Sequence, residues 1–122
     1  MITFKRFECQ SIYGGDYLMD NAYRIFADDV EIGQFYFPNK DNCEMELYEN
    51  EMYIEYLKLN VKGYFKQFIK AVFKEFKLNK IIGETNDDNK VYWESVEANV
   101  SEQYIDEDRE MYLFIVTNNG GI

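Results

Sequence analysis

The chain has 122 residues, 47% of them hydrophobic and 18% aromatic, which suits one domain with a single core and is far too apolar for a disordered segment. Its 13 Lys+Arg against 23 Asp+Glu give a net charge of -10, so the molecule as a whole repels nucleic acid and generic DNA or RNA binding is disfavoured. With 0 His and 2 Cys, histidine nucleophile pairs, histidine-ligated metals, zinc knuckles and disulfide scaffolds are excluded, which leaves carboxylates, tyrosine and lysine to do any chemistry.

Ile2 to Cys9 reads as an edge strand, followed by turn chemistry at Tyr13-Gly14-Gly15-Asp16. Tyr23–Ala27 and Glu31–Phe37 form a hairpin that reverses at Asp28-Asp29. After the loop Pro38–Asn42, Cys43, Met45 and Leu47 alternate with Glu44, Glu46 and Tyr48, the period of a strand with one wet face. Glu49-Asn50-Glu51 turns the chain back into Met52–Leu59, which is apolar on both faces apart from Glu55 and Lys58, as in a central strand. A charge such as Glu55 in that setting needs a reason.

The period then changes. Phe65, Phe68, Ile69, Val72, Phe73 and Phe76 lie on one stripe of a helix, and Lys62, Lys66, Lys70 and Lys74 on another, which predicts a helix lying on a sheet with lysines outward. Lys77-Leu78-Asn79 ends it, and Lys80–Thr85 is a strand parallel to Met52–Leu59, because a helical crossover joins them. Asn86-Asp87-Asp88-Asn89 offers caps for a second helix, Lys90–Ala98, and Met111–Thr117 is a last buried strand. The expectation is an α/β (α+β) domain over residues 1–117, with a mixed, largely antiparallel sheet, two helices after the central strands and a flexible tail over 118–122. No apolar run reaches the roughly 18 residues of a membrane span, and the first residues lack the apolar core of a signal peptide, so a cytoplasmic protein is expected.

Strand, helix, strand, capped helix and final strand, carried by Ile54–Leu59, Gly63–Phe76, Ile81–Asn86 and Asn89–Val96, resemble the GNAT superfamily of acyl-CoA-dependent N-acyltransferases over residues 22 to 117. The most telling piece is Glu84-Thr85-Asn86-x-x-Asn89-Lys90, followed by an aromatic pair and Glu94. The resemblance implies a sheet splayed between two central strands, with acetyl-CoA in the gap and its pyrophosphate on the next helix N-terminus. Leu57, Leu59, Gly63, Tyr64 and Asn89 would then be the cofactor-binding positions. Glu55 would be the general base, and Tyr92 or Trp93 would stand where a tyrosine returns a proton to the leaving thiolate. At the phosphate loop the family writes Arg or Gln, two residues, Gly, one residue, then Gly or Ala. Here Asn60-Val61-Lys62-Gly63-Tyr64-Phe65 keeps the first glycine, replaces the second small residue with Phe65 and shortens the loop. The stretch from Gln10 to Asn21 is also too short for the two helices that usually wall the acceptor site.

Charge placement suggests another function. Seven lysines stand against the single acid Glu75 between Lys58 and Lys80, while Asp28, Asp29, Glu44, Glu46, Asp106, Glu107 and Asp108 lie in acidic runs on turns and edges. Such a surface fits the basic groove of a nucleic-acid-binding protein and blocks it by mimicry. Small acidic chains without histidine look like phage or mobile-element inhibitors of defence proteins, the anti-CRISPR type included. The sequence thus leads to the expectation of a reduced, non-catalytic GNAT-like domain that holds no cofactor and binds a protein. The alternative is an active acetyl-CoA-dependent N-acetyltransferase acting on a small amine or a protein lysine.

Overall fold

A computed structural model describes residues 1–10 and 18–118. The turn expected at Tyr13-Gly14-Gly15-Asp16 and the tail beyond Asn118 lie outside the described residues. β1 (Ile2–Arg6), β2 (Asn21–Ala27) and β3 (Val30–Phe37) run antiparallel to one another. β4 (Glu51–Ile54) and β5 (Tyr56–Leu59) follow, then α1 (Phe65–Glu75), β6 (Lys80–Thr85), α2 (Lys90–Glu94), β7 (Asn99–Val100) and β8 (Tyr112–Thr117). The strands form two four-stranded groups, β1-β2-β3-β5 and β4-β6-β8-β7, with β4 parallel to β6 and every other pair antiparallel.

The apolar stripe of α1 is buried as its period predicts: Phe68, Ile69, Val72 and Phe73 are buried, while Lys62, Lys66, Lys70 and Lys74 are exposed. Phe35 of β3 is the hub beneath it. Its ring centroid lies 5.5 Å from Phe4, 5.2 Å from Phe68 and 5.7 Å from Tyr23, and each such ring buried contributes about 1.5–3 kcal/mol. α1 ends in a Schellman turn, with Lys77 at φ 54° and the Leu78 N–H donating to the Phe73 carbonyl at 3.0 Å. A left-handed lysine costs about 1–2 kcal/mol relative to the right-handed conformation, so Lys77→Gly should raise stability by roughly 0.5–1 kcal/mol in urea unfolding.

Several expectations need correction. Cys43–Tyr48 is not a strand; a 3-10 turn at Lys40–Asn42 leads into it and it has no ladder partner among the described residues. Its side chains nevertheless alternate between half-buried (Cys43, Met45, Leu47) and exposed (Glu44, Glu46, Tyr48), so the period reports an extended segment lying on the protein without a sheet edge to join. β1 stops at Arg6, short of Cys9. α2 stops at Glu94, short of Ala98, because Glu97 turns left-handed (φ 63°) and the Ala98 N–H closes on the Trp93 carbonyl at 3.0 Å. Asn118, placed in the flexible tail, donates its N–H to Asn79 at 2.9 Å. The short β7 carries no period that a sequence could show. Met52–Leu59 is divided at Glu55, and this break organises the site.

β3 and β5 approach closely at Gly33, where an added Cβ would sit 2.0 Å from the Lys58 carbonyl oxygen. Gly33→Ala should therefore push the two backbones apart and cost on the order of 1–3 kcal/mol, read as a lower urea midpoint.

Candidate active site

β4 and β5 are one run of chain that changes partner. Up to Ile54 it pairs in parallel with β6, the last pair being Ile54 with Gly83. From Tyr56 it pairs with β3 instead, and the Glu55 N–H already donates to the Tyr36 carbonyl at 3.0 Å. Glu55 therefore stands where the sheet splits, and Glu84 is the residue next in register across the gap. β6 continues along β8 through Thr85, so β5 and the end of β6 diverge and a wedge opens between them.

The open edge of β5 faces that wedge. The Asn60 N–H bonds the Ile32 carbonyl at 2.6 Å, while Leu59 lies opposite Gly33 and Leu57 opposite Phe35. Alternation in an antiparallel ladder then directs the peptide groups of Leu57 and Leu59 away from β3, toward the cleft. A cavity of about 420 Å³ fills the wedge and is lined by Glu55, Leu57, Leu59, Gly63, Asn89 and Tyr92, among others.

Its floor is aromatic. Phe65, at the first turn of α1, meets Trp93 edge-on at 4.9 Å, and Trp93 stacks on Phe114 at 3.6 Å. Phe114 lies over Gly83, where an added Cβ would fall 2.5 Å from the ring. Tyr92 projects the other way, 49% exposed, with its ring 6.1 Å from Phe65. At the rim, Gly63 has φ 95° with nothing within 4 Å of an added Cβ, so its role is the left-handed conformation and not clearance. The first helical bond of α1 runs from the Phe68 N–H to the Tyr64 carbonyl at 2.8 Å, which leaves the amides of Phe65, Lys66 and Gln67 without intrahelical partners. Lys62 lines the cavity beside them.

The site residues expected from sequence thus gather in one cleft, with an exception. Tyr64 does not line the cavity; as the N-cap of α1 it packs its ring against the core. Asn89 lines the cleft but does not cap α2 through its side chain; Asn86 starts that helix, its side-chain oxygen accepting the Asn89 N–H at 2.9 Å. Trp93 is 6% exposed and belongs to the floor, which leaves the accessible hydroxyl to Tyr92.

Glu84 and Arg109 were not visible as site residues in the sequence. Arg109 donates to Glu84 at 2.8 Å and to Asp106 at 2.7 Å, and its guanidinium holds the Asp106 carboxyl below its usual range. A second pair of bonds steadies the other side of the cleft. The hydroxyls of Tyr104 and Tyr112 each donate to Asp87 at 2.8 Å and hold its carboxyl below the usual range.

A second cavity, about 610 Å³, lies against Tyr53, whose side chain faces away from the core-facing Met52 and Ile54. It shares Ile54, Glu55, Glu84 and Met111 with the first. The split at Glu55 is therefore reached from both faces of the sheet.

The acidic positions lie on three separate turns and loops. Asp28 and Asp29 form the β2–β3 turn at φ 47° and 73°, and Asp28 accepts the Met1 amino group at 2.6 Å. β3 runs from that turn to Pro38, which lines the second cavity, a length of roughly 25 Å. Glu44 lines that cavity, Glu46 is exposed on the same loop, and Asp106, Glu107 and Asp108 lie in the turn before β8 with Asp106 engaged by Arg109.

No family sequence model and no curated protein matches the chain in sequence. Solved structures do match. The N-acetyltransferase PseH of Campylobacter jejuni in complex with acetyl coenzyme A aligns at TM-score 0.54 and 20% identity, over 80% of this chain and 67% of that one. An acetyltransferase of Bacillus subtilis in complex with CoA aligns at 0.54 and 12%, over 80% and 76%. One from Thermus thermophilus aligns at 0.59 and 8%, over 80% and 63%. These likenesses establish the fold: the chain has the mixed α+β fold of the GNAT acetyltransferases. No described helix is long and apolar enough to cross a membrane.

Proposed function

We propose that the chain is an acyl-CoA-dependent N-acyltransferase, with the thioester arm in the cleft between β5 and β6. The observation that carries this is the change of strand partner at Glu55, which leaves the peptide edge of Leu57 and Leu59 open along an apolar cavity. The residues present suit such a ligand. The strand edge matches the amides of a pantetheine arm, and the free N–H groups of α1, with Lys62 and Lys66, suit a diphosphate. Phe65, which stands in place of the second small residue of the phosphate loop, turns its ring onto Trp93. The structures solved with acetyl coenzyme A and CoA support the same alternative.

An acyl thioester, when bound, supplies a carbonyl carbon open to attack by nitrogen. Among the described residues the Glu55 carboxylate has no hydrogen-bond or ion-pair partner, so it is free to take the proton that an ammonium must lose before its nitrogen attacks. As the new C–N bond forms and the C–S bond breaks, the Tyr92 hydroxyl supplies a proton to the departing sulfur and is restored by the second proton that the nitrogen sheds as it becomes an amide, the first having gone to Glu55. The amine enters from the second cavity, which reaches Glu55 from the opposite face. Glu84, next to Glu55 across the junction, is held in place by Arg109.

Incubation with acetyl-CoA and a panel of primary amines, followed by thiol release, tests this reading. Tyr92→Phe should lower the rate about 10- to 100-fold without changing stability, since the side chain is half exposed. The competing reading, a non-catalytic acidic protein seated in a basic groove, is supported by the net charge of -10 and gives the cleft no role.

A further inference from the structure

The second cavity has a charge pattern that bears on the acceptor. Four acidic or basic side chains line it among the described residues: Glu44, Glu55, Glu84 and Arg109. Arg109 is already committed, its Nη2 to Glu84 and its Nε to Asp106, so an anionic group entering the cavity would meet no uncommitted cation. Glu84 is paired by the same contact. Glu44 and Glu55 remain, with no ion pair or side-chain hydrogen bond among the described residues, one on the loop wall and the other on the sheet. Between these walls lie Cys43, Met45 and Met111, which offer weakly polar surface suited to methylene groups.

We propose that this cavity selects an aliphatic diamine or polyamine, one nitrogen presented to Glu55 and a second ammonium paired with Glu44. The inference rests on the acyl-transfer reading of the cleft, because only there does a nitrogen at Glu55 have a use. A single ammonium satisfies one carboxylate and leaves the other unpaired. An amino acid would bring a carboxylate toward Glu44, Glu84 and a guanidinium already shared by two acids, which is repulsive. The molecule's overall negative charge raises the local concentration of a dication further.

Calorimetric titration of the whole chain, without acyl-CoA and at low salt, with 1,4-diaminobutane, n-butylamine and 4-aminobutanoate tests this. The diamine should bind about 10-fold more tightly than the monoamine, and the amino acid should bind most weakly. Glu44→Gln lies on an exposed loop and should reduce diamine affinity to the monoamine level while a separate CoA titration stays unchanged. Equal affinity for diamine and monoamine, preference for 4-aminobutanoate, no binding of any of the three, or an unaffected Glu44→Gln variant would overturn the inference. Diamine selectivity without CoA binding would overturn the acyl-transfer reading and leave the cavity's preference standing.

Discussion

Glu55→Gln should lower kcat for acyl transfer by about 10²- to 10⁴-fold, the range that a positioned base contributes, while leaving acyl-CoA affinity and the melting temperature nearly unchanged. The separation of these effects follows from the geometry. The change of partner from β6 to β3 is made by the backbone, through the Glu55 N–H on Tyr36 and the pairing of Tyr56–Leu59, and glutamine preserves all of it. Only the proton acceptor is lost. A comparable loss from Glu84→Gln, with Glu55→Gln near wild type, would move the base to β6 and make Arg109 its modulator.

Trp93→Ala should be the most damaging single change to the fold, at about 3–5 kcal/mol, because it deletes a large buried side chain and with it the stack on Phe114 and the edge contact with Phe65. Against a total stability of about 5–15 kcal/mol, this corresponds to a fall in Tm of roughly 10–20 °C. Trp93→Phe should cost much less, since it keeps an apolar ring of similar thickness over Phe114. Thermal unfolding of both variants checks this. A loss below about 1 kcal/mol for Trp93→Ala would mean that the cleft floor is not supported from α2.

How much of this could be seen in the sequence differed from element to element, for physical reasons. α1 was legible because its two stripes, apolar and lysine, are local periodicities that packing preserves. The β2–β3 hairpin was legible because Asp28-Asp29 tolerates the left-handed turn between two apolar runs. The strand break at Glu55 was visible only as a misplaced charge. Whether that charge marked a paired ion, a wet edge or a change of partner depends on β3 and β6, which are distant in sequence. Cys43–Leu47 shows the limit of alternation, which encodes one buried face but not the existence of a neighbouring strand. Arg109, set among Asp106, Glu107, Asp108 and Glu110, looked like part of a solvated acidic turn; its reach to Glu84 is a tertiary fact. The acidic residues were readable as a charge excess, and their distribution over separate loops was not.

The most direct test of the central claim is calorimetric titration of the chain with CoA at near-physiological salt. The open edge of Leu57 and Leu59, the amides at the start of α1, and Lys62 predict a dissociation constant in the micromolar range, about −8 kcal/mol. That affinity should weaken as salt rises, because lysine–phosphate attraction is screened, and Gly63→Val should abolish it by disturbing the left-handed rim of the cleft. Absence of binding tighter than about millimolar, near −4 kcal/mol, would contradict the account and leave the cleft a structural seam.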